Sequence, residues 1–206
     1  MNKNDEEVYA LSVKDLFSGS DYFEGALFYQ DTNILNNIYQ KAKPVKRGVC
    51  ENDPTMKHVI PYVVLTSDKQ RIFVTRRTQN QTEERLHGKA SVGLGGHVGP
   101  YSNCSVAEAI AFGALRELNE ELTGMRFFNF AKKIFELKLM GYVNWDQDDV
   151  GKVHFGLIYN IHVDSILSKG INIKETENMT GEWMSYKAAK KITNYETWSF
   201  CILESM

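Results

Sequence analysis

An α/β fold with a mixed sheet is predicted for this chain, on three observations. The runs VIPYVVLT (59–66), RIFVTRR (71–77) and KVHFGLIYNIHV (152–163) are β-branched and aromatic, the texture of strands. Between them SVAEAIAFGALRELNEEL (105–122) repeats its apolar residues at helical spacing. Strands and helices are interspersed along the chain rather than grouped, which is the order of an α/β sandwich.

Each element follows in turn. Residues 1–50 read as an N-terminal extension packed on the main domain. They hold a short apolar piece (VYALSVKDLF) and a helix over TNILNNIYQKAK, with Pro44 and ENDPT at the boundary. The main domain then spans 51–206. VIPYVVLT and RIFVTRR are joined by the turn-prone SDKQ and form a strand pair. A polar loop, TQNQTEERLHGKA, leads to GLGGHVG, where four glycines in seven residues imply backbone running close to something. After the helix, FAKKIFELKLMGYV and KVHFGLIYNIHV are strands around the acidic loop NWDQDD, and the aromatics of FFNFAKKIF are core. EWMSY is a short strand, and AAKKI and YETWSFCILESM close the chain as helices.

Composition narrows the function. The 206 residues suit one domain with a substantial core. Apolar content of 43% with 24% charged residues is ordinary for a soluble globular protein. A net charge of -2 argues against a nucleic-acid polymer or a membrane surface as partner, since both select a basic excess. Cys50, Cys104 and Cys201 are too far apart for a disulfide framework or a zinc knuckle, so a cytoplasmic location is expected. The opening MNKNDEEVYA is no signal peptide, and no apolar run approaches the ~18 residues of a membrane helix.

The helix concentrates charge against its own interest. At about 100° per residue, Glu117, Glu120 and Glu121 share one face and repel one another. Thr123-Gly124 looks like the stop, which places two of these acids in the last turn, where the helix dipole favours cations. Gly113 lies one turn earlier on the same arc and is expected to leave open space before the carboxylates. A hard divalent cation would turn this repulsion into cohesion, and Mg²⁺ prefers carboxylates combined with substrate phosphate.

These residues resemble the box of the Nudix hydrolases. Seven residues separate Glu108 from Arg116, and RELNEE covers Arg116 to Glu121, as in the family pattern of Glu-x7-Arg-Glu-Leu-x-Glu-Glu. RIFVTRR before the box and GEWMSY after it resemble strands of MutT-type members, and ENDPTMKHVIPYVVL with GLGGHV resembles a bacterial subgroup of phosphoesterase-like members. The resemblance covers roughly residues 45–206. Two departures stand out. Eleven residues separate Gly96 from Glu108, about six more than the family's usual loop, and the box ends Glu-Glu-Leu-Thr-Gly, one residue longer than usual.

The resemblance implies an α/β/α sandwich with a mixed sheet and the box as loop-helix-loop. It implies Mg²⁺ or Mn²⁺ held by Glu117, Glu120, Glu121 and the Gly96 carbonyl, with Arg116 orienting Glu117. The implied activity is hydrolysis of the pyrophosphate linkage in a nucleoside diphosphate joined to another moiety, a small-molecule substrate. Glu121 and Glu177 are the candidates for general base, Glu177 because it precedes Glu182-Trp-Met-Ser at the offset of a metal-associated glutamate in MutT-type enzymes. Arg76 or Arg77, on opposite faces of one strand, and His97 are candidates for substrate contact, whereas His154 reads as structural and Glu108 as a stabiliser of the loop-helix turn. Tyr142 stands near a tyrosine of some dinucleoside-polyphosphate members. A homodimer is compatible with the family. The alternatives are a nucleotide-binding sensor without turnover, whose relatives commonly lose box acids retained here, and an isomerase of isopentenyl diphosphate, for which Cys104 has no accompanying motif.

Overall fold

The computed structural model describes residues 3–68, 70–78, 88–124 and 137–206. The FFNFAKKIF stretch and most of the polar loop TQNQTEERLHGKA lie outside the described residues. In chain order the strands are β1 (Glu7–Ser12), β2 (Gly25–Leu27), β3 (Lys43–Lys46), β4 (Met56–Ser67), β5 (Arg71–Arg77), β6 (Ala90–Ser91), β7 (Gly93–Gly95), β8 (Leu122–Thr123), β9 (Lys138–Asn144), β10 (His154–Val163), β11 (Asn172–Ile173) and β12 (Met179–Ser185). The helices are α1 (Val13–Leu16), α2 (Thr32–Lys41), α3 (Arg47–Cys50), α4 (Val106–Glu121), α5 (Tyr186–Ala189) and α6 (Thr197–Ser205).

The main sheet runs β12-β5-β4-β10-β9-β2; off this path β1 and β7 pair with β4, β6 pairs with β5, and β3 pairs with β1. It is mixed because β4 and β10 pair in parallel, from His58 opposite His154 to Ser67 opposite Val163, while the neighbouring pairings are antiparallel. Residues of the N-terminal stretch enter this sheet directly: Ala10 pairs with His58 through β1, and Ala26 with Val143 through β2.

Strand alternation sorts the core into two layers. Val59, Val63 and Leu65 of β4, with Phe155, Leu157 and Ile161 of β10, pack beneath α2 and α4. Tyr62, Val64 and Ile158 face the other way, toward Ala189 of α5 and Cys201, Ile202 and Leu203 of α6. This is the predicted α/β/α sandwich. Tyr142 belongs to its interior: it is fully buried and its hydroxyl donates to the Asp31 carbonyl at 2.8 Å, so it faces the core and not a substrate. No helix among the described residues is long and apolar enough to cross a membrane.

Candidate active site

The box helix α4 starts with reciprocal capping. Ser105 Oγ accepts from the Glu108 N–H at 3.3 Å, and Glu108 Oε2 accepts from the Ser105 N–H at 2.8 Å. Glu108 therefore stabilises the loop-helix junction. Ala109, Ile110, Ala114, Leu115 and Leu118 are buried in the core, which leaves Glu117, Glu120 and Glu121 along the flank. The helix ends at Glu121 with no basic residue in its last turn. Compensation comes from elsewhere: the Lys174 N–H donates to the Glu121 carbonyl at 2.9 Å, and Lys174 Nζ donates to the Asn119 carbonyl. A cation thus reaches the negative end of the dipole from a neighbouring segment. Leu122 and Thr123, just after the helix, pair with Ile173 and Asn172 of β11, and Gly124, at φ +79°, passes so close to the Gly170 carbonyl that a Cβ would lie 2.2 Å from it.

Gly113 does something other than expected. It is buried, and a Cβ placed on it would lie 2.4 Å from Val98 Cγ2. The glycine lets the loop after β7 lie across the helix; it opens no space before the carboxylates. The same loop gives the expanded segment its path. Val98 accepts a hydrogen bond from the Tyr9 N–H at 2.7 Å, Gly99 passes within Cβ contact of the Glu7 carbonyl, and Tyr101 packs on Phe112. The longer loop and the N-terminal stretch are built against each other.

Gly96 and the acidic helix meet directly. A Cβ at Gly96 would stand 2.5 Å from the Glu117 carboxyl, so a side chain there would have to displace that carboxylate from its present position. Arg116 Nη2 donates to Glu117 Oε1 at 2.6 Å and to the His97 carbonyl at 2.8 Å, and Nη1 reaches Glu120 Oε2 at 3.5 Å. Arg116 therefore fixes the Glu117 carboxylate and ties the glycine loop to the helix. Burial raises the Glu117 carboxyl above its ordinary range, Arg116 pulls it back, and Glu120 and Glu6 push it up again. Glu121 is pushed to about 7, by burial first; Arg77 opposes this, while Glu117, Glu120 and Glu175 add to it. Glu121 Oε2 is buried and meets no hydrogen-bond partner among the described residues.

The remaining predicted residues divide. Arg77 acts on Glu121 and so belongs to the acidic side. Arg76 falls on the opposite face, beside a small cavity lined with Val74, Thr180, Gly181 and Glu182, its Nη1 donating to the Gly88 carbonyl at 3.4 Å. Glu177 is exposed in the turn before β12, and its carbonyl accepts from Thr78 Oγ1 at 2.6 Å; Glu175, in the same turn, is the acid whose charge Glu121 senses. His97 directs its ring to two other histidines, His58 and His154. Beside Arg116 a cleft of about 580 Å³ is lined by Asp5, Glu6, Glu7, Lys46 and Tyr101. Neither the role of Glu6 nor this cleft is readable from the box, because both arise from residues distant in sequence.

Comparison with known proteins places this architecture. No family model matches the chain. Protein YmaB of Bacillus subtilis (strain 168) is 30% identical over 211 residues, covering 99% of this chain and 98% of its own length. The solved structure of Tm1382, a candidate Nudix hydrolase, aligns with a TM-score of 0.74 at 24% identity over 97% of each chain. A bifunctional NMN adenylyltransferase/ADP ribose pyrophosphatase from Francisella tularensis, solved with AMP and a manganese ion, aligns at a TM-score of 0.50 and 13% identity, over 72% of this chain and 40% of its own.

Proposed function

For a chain that belongs to the same family as YmaB and has the Nudix fold, we propose divalent-metal-dependent hydrolysis of the pyrophosphate linkage in a nucleoside diphosphate joined to another moiety. One observation carries this reading: Glu121 Oε2 is buried beside Glu117 and Glu120 without a hydrogen-bond partner among the described residues, where the Gly96 backbone comes close to the Glu117 carboxyl. A buried carboxylate oxygen left unsatisfied is costly, and an all-oxygen donor set fits Mg²⁺ or Mn²⁺. Glu117, Glu120, Glu121 and the Gly96 carbonyl are the groups that would hold the ion. When bound, it supplies charge neutralisation of the diphosphate and activation of water.

The chain's own residues do the rest. Arg116 holds Glu117 in one orientation through its 2.6 Å bond. Arg77, on the acidic side, is the better of the two strand arginines to bind a phosphate in a forked arrangement. Two carboxylates can take the proton from water. Glu121 carries a pKa near neutrality, the range in which a general base works best, and Glu177 lies in the turn that also holds Glu175. The cleft beside Arg116 has the size of a small-molecule site, and we assign it to the part of the substrate beyond the diphosphate. The ligand of the Francisella protein, AMP with manganese, supports a nucleotide as the other part.

The test is a panel of nucleoside triphosphates, nucleotide sugars, dinucleotides and dinucleoside polyphosphates incubated with Mg²⁺. Phosphate is read with and without added pyrophosphatase and phosphatase. Release that needs both Mg²⁺ and Glu120 is expected. Saturable nucleotide binding without product from any substrate would convert the reading to a sensor.

A further inference from the structure

Three of the five histidines, far apart in sequence, meet in space. His58 stands near the start of β4 and His154 opens β10, and the parallel register sets them directly opposite each other. His97 arrives from the third side, carried there by the pairing of Gly95 with Tyr62. It is held in place by the bond from Arg116 to its carbonyl and by the bond from Tyr9 to Val98. The ring centroids are 4.8 to 5.1 Å apart. One nitrogen from each ring lies within 4.8 Å of the other two, and His97 Nε2 is 3.1 Å from His154 Nε2.

The hydrogen bonding of these rings points to a ligand. His58 is 0% exposed, and among the described residues neither of its nitrogens makes a hydrogen bond of normal geometry. The Cys50 carbonyl is the weakest of the groups that act on its charge. A buried imidazole so poorly satisfied costs stability and calls for a reason. His154 Nδ1 lies 2.6 Å from the Val150 carbonyl. That contact places the proton on Nδ1 and turns the Nε2 lone pair toward His97, the arrangement in which a backbone carbonyl orients a metal-ligating histidine.

We propose that His58, His97 and His154 bind one divalent transition-metal ion through their imidazole nitrogens, with zinc the best match, at a site separate from the acidic face. Three nitrogens without a carboxylate among them suit Zn²⁺, Co²⁺, Ni²⁺ or Cu²⁺ and reject Mg²⁺. Tetrahedral zinc with bonds of ~2.0–2.1 Å has ligand edges of about 3.3 Å, which the His97–His154 pair already matches. Ring rotation closes the longer edges. Nearby cations are offset: Arg47 is bound by Glu51 at 2.7 Å and Glu6 at 3.7 Å, and Lys57 by Asp146. An imidazole of ordinary basicity is largely neutral at about pH 7 and need lose no proton to bind. His97 and His154 are each partly exposed.

The test uses the full chain after dialysis against chelator, titrated with Co²⁺ and read by visible absorption. One equivalent giving the spectrum of cobalt in a nitrogen-rich site is expected, displaced by Zn²⁺ and unaffected by excess Mg²⁺. His97→Gln and His154→Gln, each shown folded by circular dichroism, should abolish the spectrum, while Glu120→Gln should retain it. Absence of the spectrum from folded wild-type protein would overturn the proposal. So would a spectrum that survives both histidine substitutions but is lost in Glu120→Gln, because the carboxylate face would then be the binding site. Neither result bears on Mg²⁺-dependent turnover, which reads the separate acidic site.

Discussion

Replacing Glu121 with glutamine should reveal a buried acid through the pH dependence of stability. The folded protein holds Glu121 at about 7 against an ordinary 4.5. An acid raised on folding keeps its proton in the folded state, so the folded state binds more protons than the unfolded one and stability falls as pH rises. The loss begins near the unfolded value and levels off above the folded one. At 1.36 kcal/mol per unit, the full penalty is about 3 kcal/mol, of which roughly 2.5 develops between about pH 5 and about pH 8. For a domain of this size that is on the order of 5–10 °C in melting temperature. Urea or thermal unfolding in chelator should therefore show wild type losing ground to Glu121→Gln over this interval. Mg²⁺ should restore the wild type at about pH 8 and do much less at about pH 5, where a proton competes for the same carboxylate. Parallel pH profiles for the two proteins in chelator would refute the reasoning, because Glu121 would then titrate as an ordinary surface acid.

Other outcomes are equally direct. Arg116→Met removes the bonds to Glu117 and the His97 carbonyl, and should weaken Mg²⁺ binding or turnover by ~10- to 100-fold, the usual worth of a group that orients a metal ligand; Mg²⁺-dependent kinetics check it. Gly113→Ala gains up to ~1 kcal/mol of helix propensity but drives a methyl group against Val98. Overpacking costs about 1–3 kcal/mol, so net destabilisation is expected in urea, and a stabilised variant would contradict the described packing. Glu177→Gln should lower kcat by roughly 10² to 10⁴ if Glu177 is the base. Glu175→Gln, made in parallel, should do so instead if the acid sensed by Glu121 performs that step.

The acidic face was legible because it is local. Glu117, Glu120 and Glu121 obey a helical period, and their conflict with the dipole is visible in six residues. The strand pair at 59–77 and the helix at 106–121 were legible for the same reason: periodicity and turn chemistry are short-range signals. Gly113 was misread because a helical wheel shows which face a residue occupies but not which loop lies across it. The histidine cluster escaped in a different way. His58 follows a polar run, His97 a glycine pair, and His154 opens a strand. Only the parallel register of β4 and β10 and the return of the glycine loop bring them together, and neither is encoded within any window of neighbouring residues. Lys174 at the helix terminus is another such case, a local deficit met from a distant segment.

The parallel pairing at the centre of the sheet also dictates when this protein can exist. Val64 and Asn160, hydrogen-bonded neighbours on β4 and β10, are 96 residues apart. During synthesis β4 is therefore made long before the strand that covers its inner edge, and contacts of such long range form slowly. Until β10 has left the ribosome, the apolar run of β4 has no central neighbour, the interval in which a nascent chain is most prone to aggregate. The histidines follow the same calendar: His58 and His97 emerge early, and His154 arrives only with the first residue of β10. A chain interrupted just before that strand would carry a complete box helix with neither a finished sheet beneath it nor a third imidazole behind it.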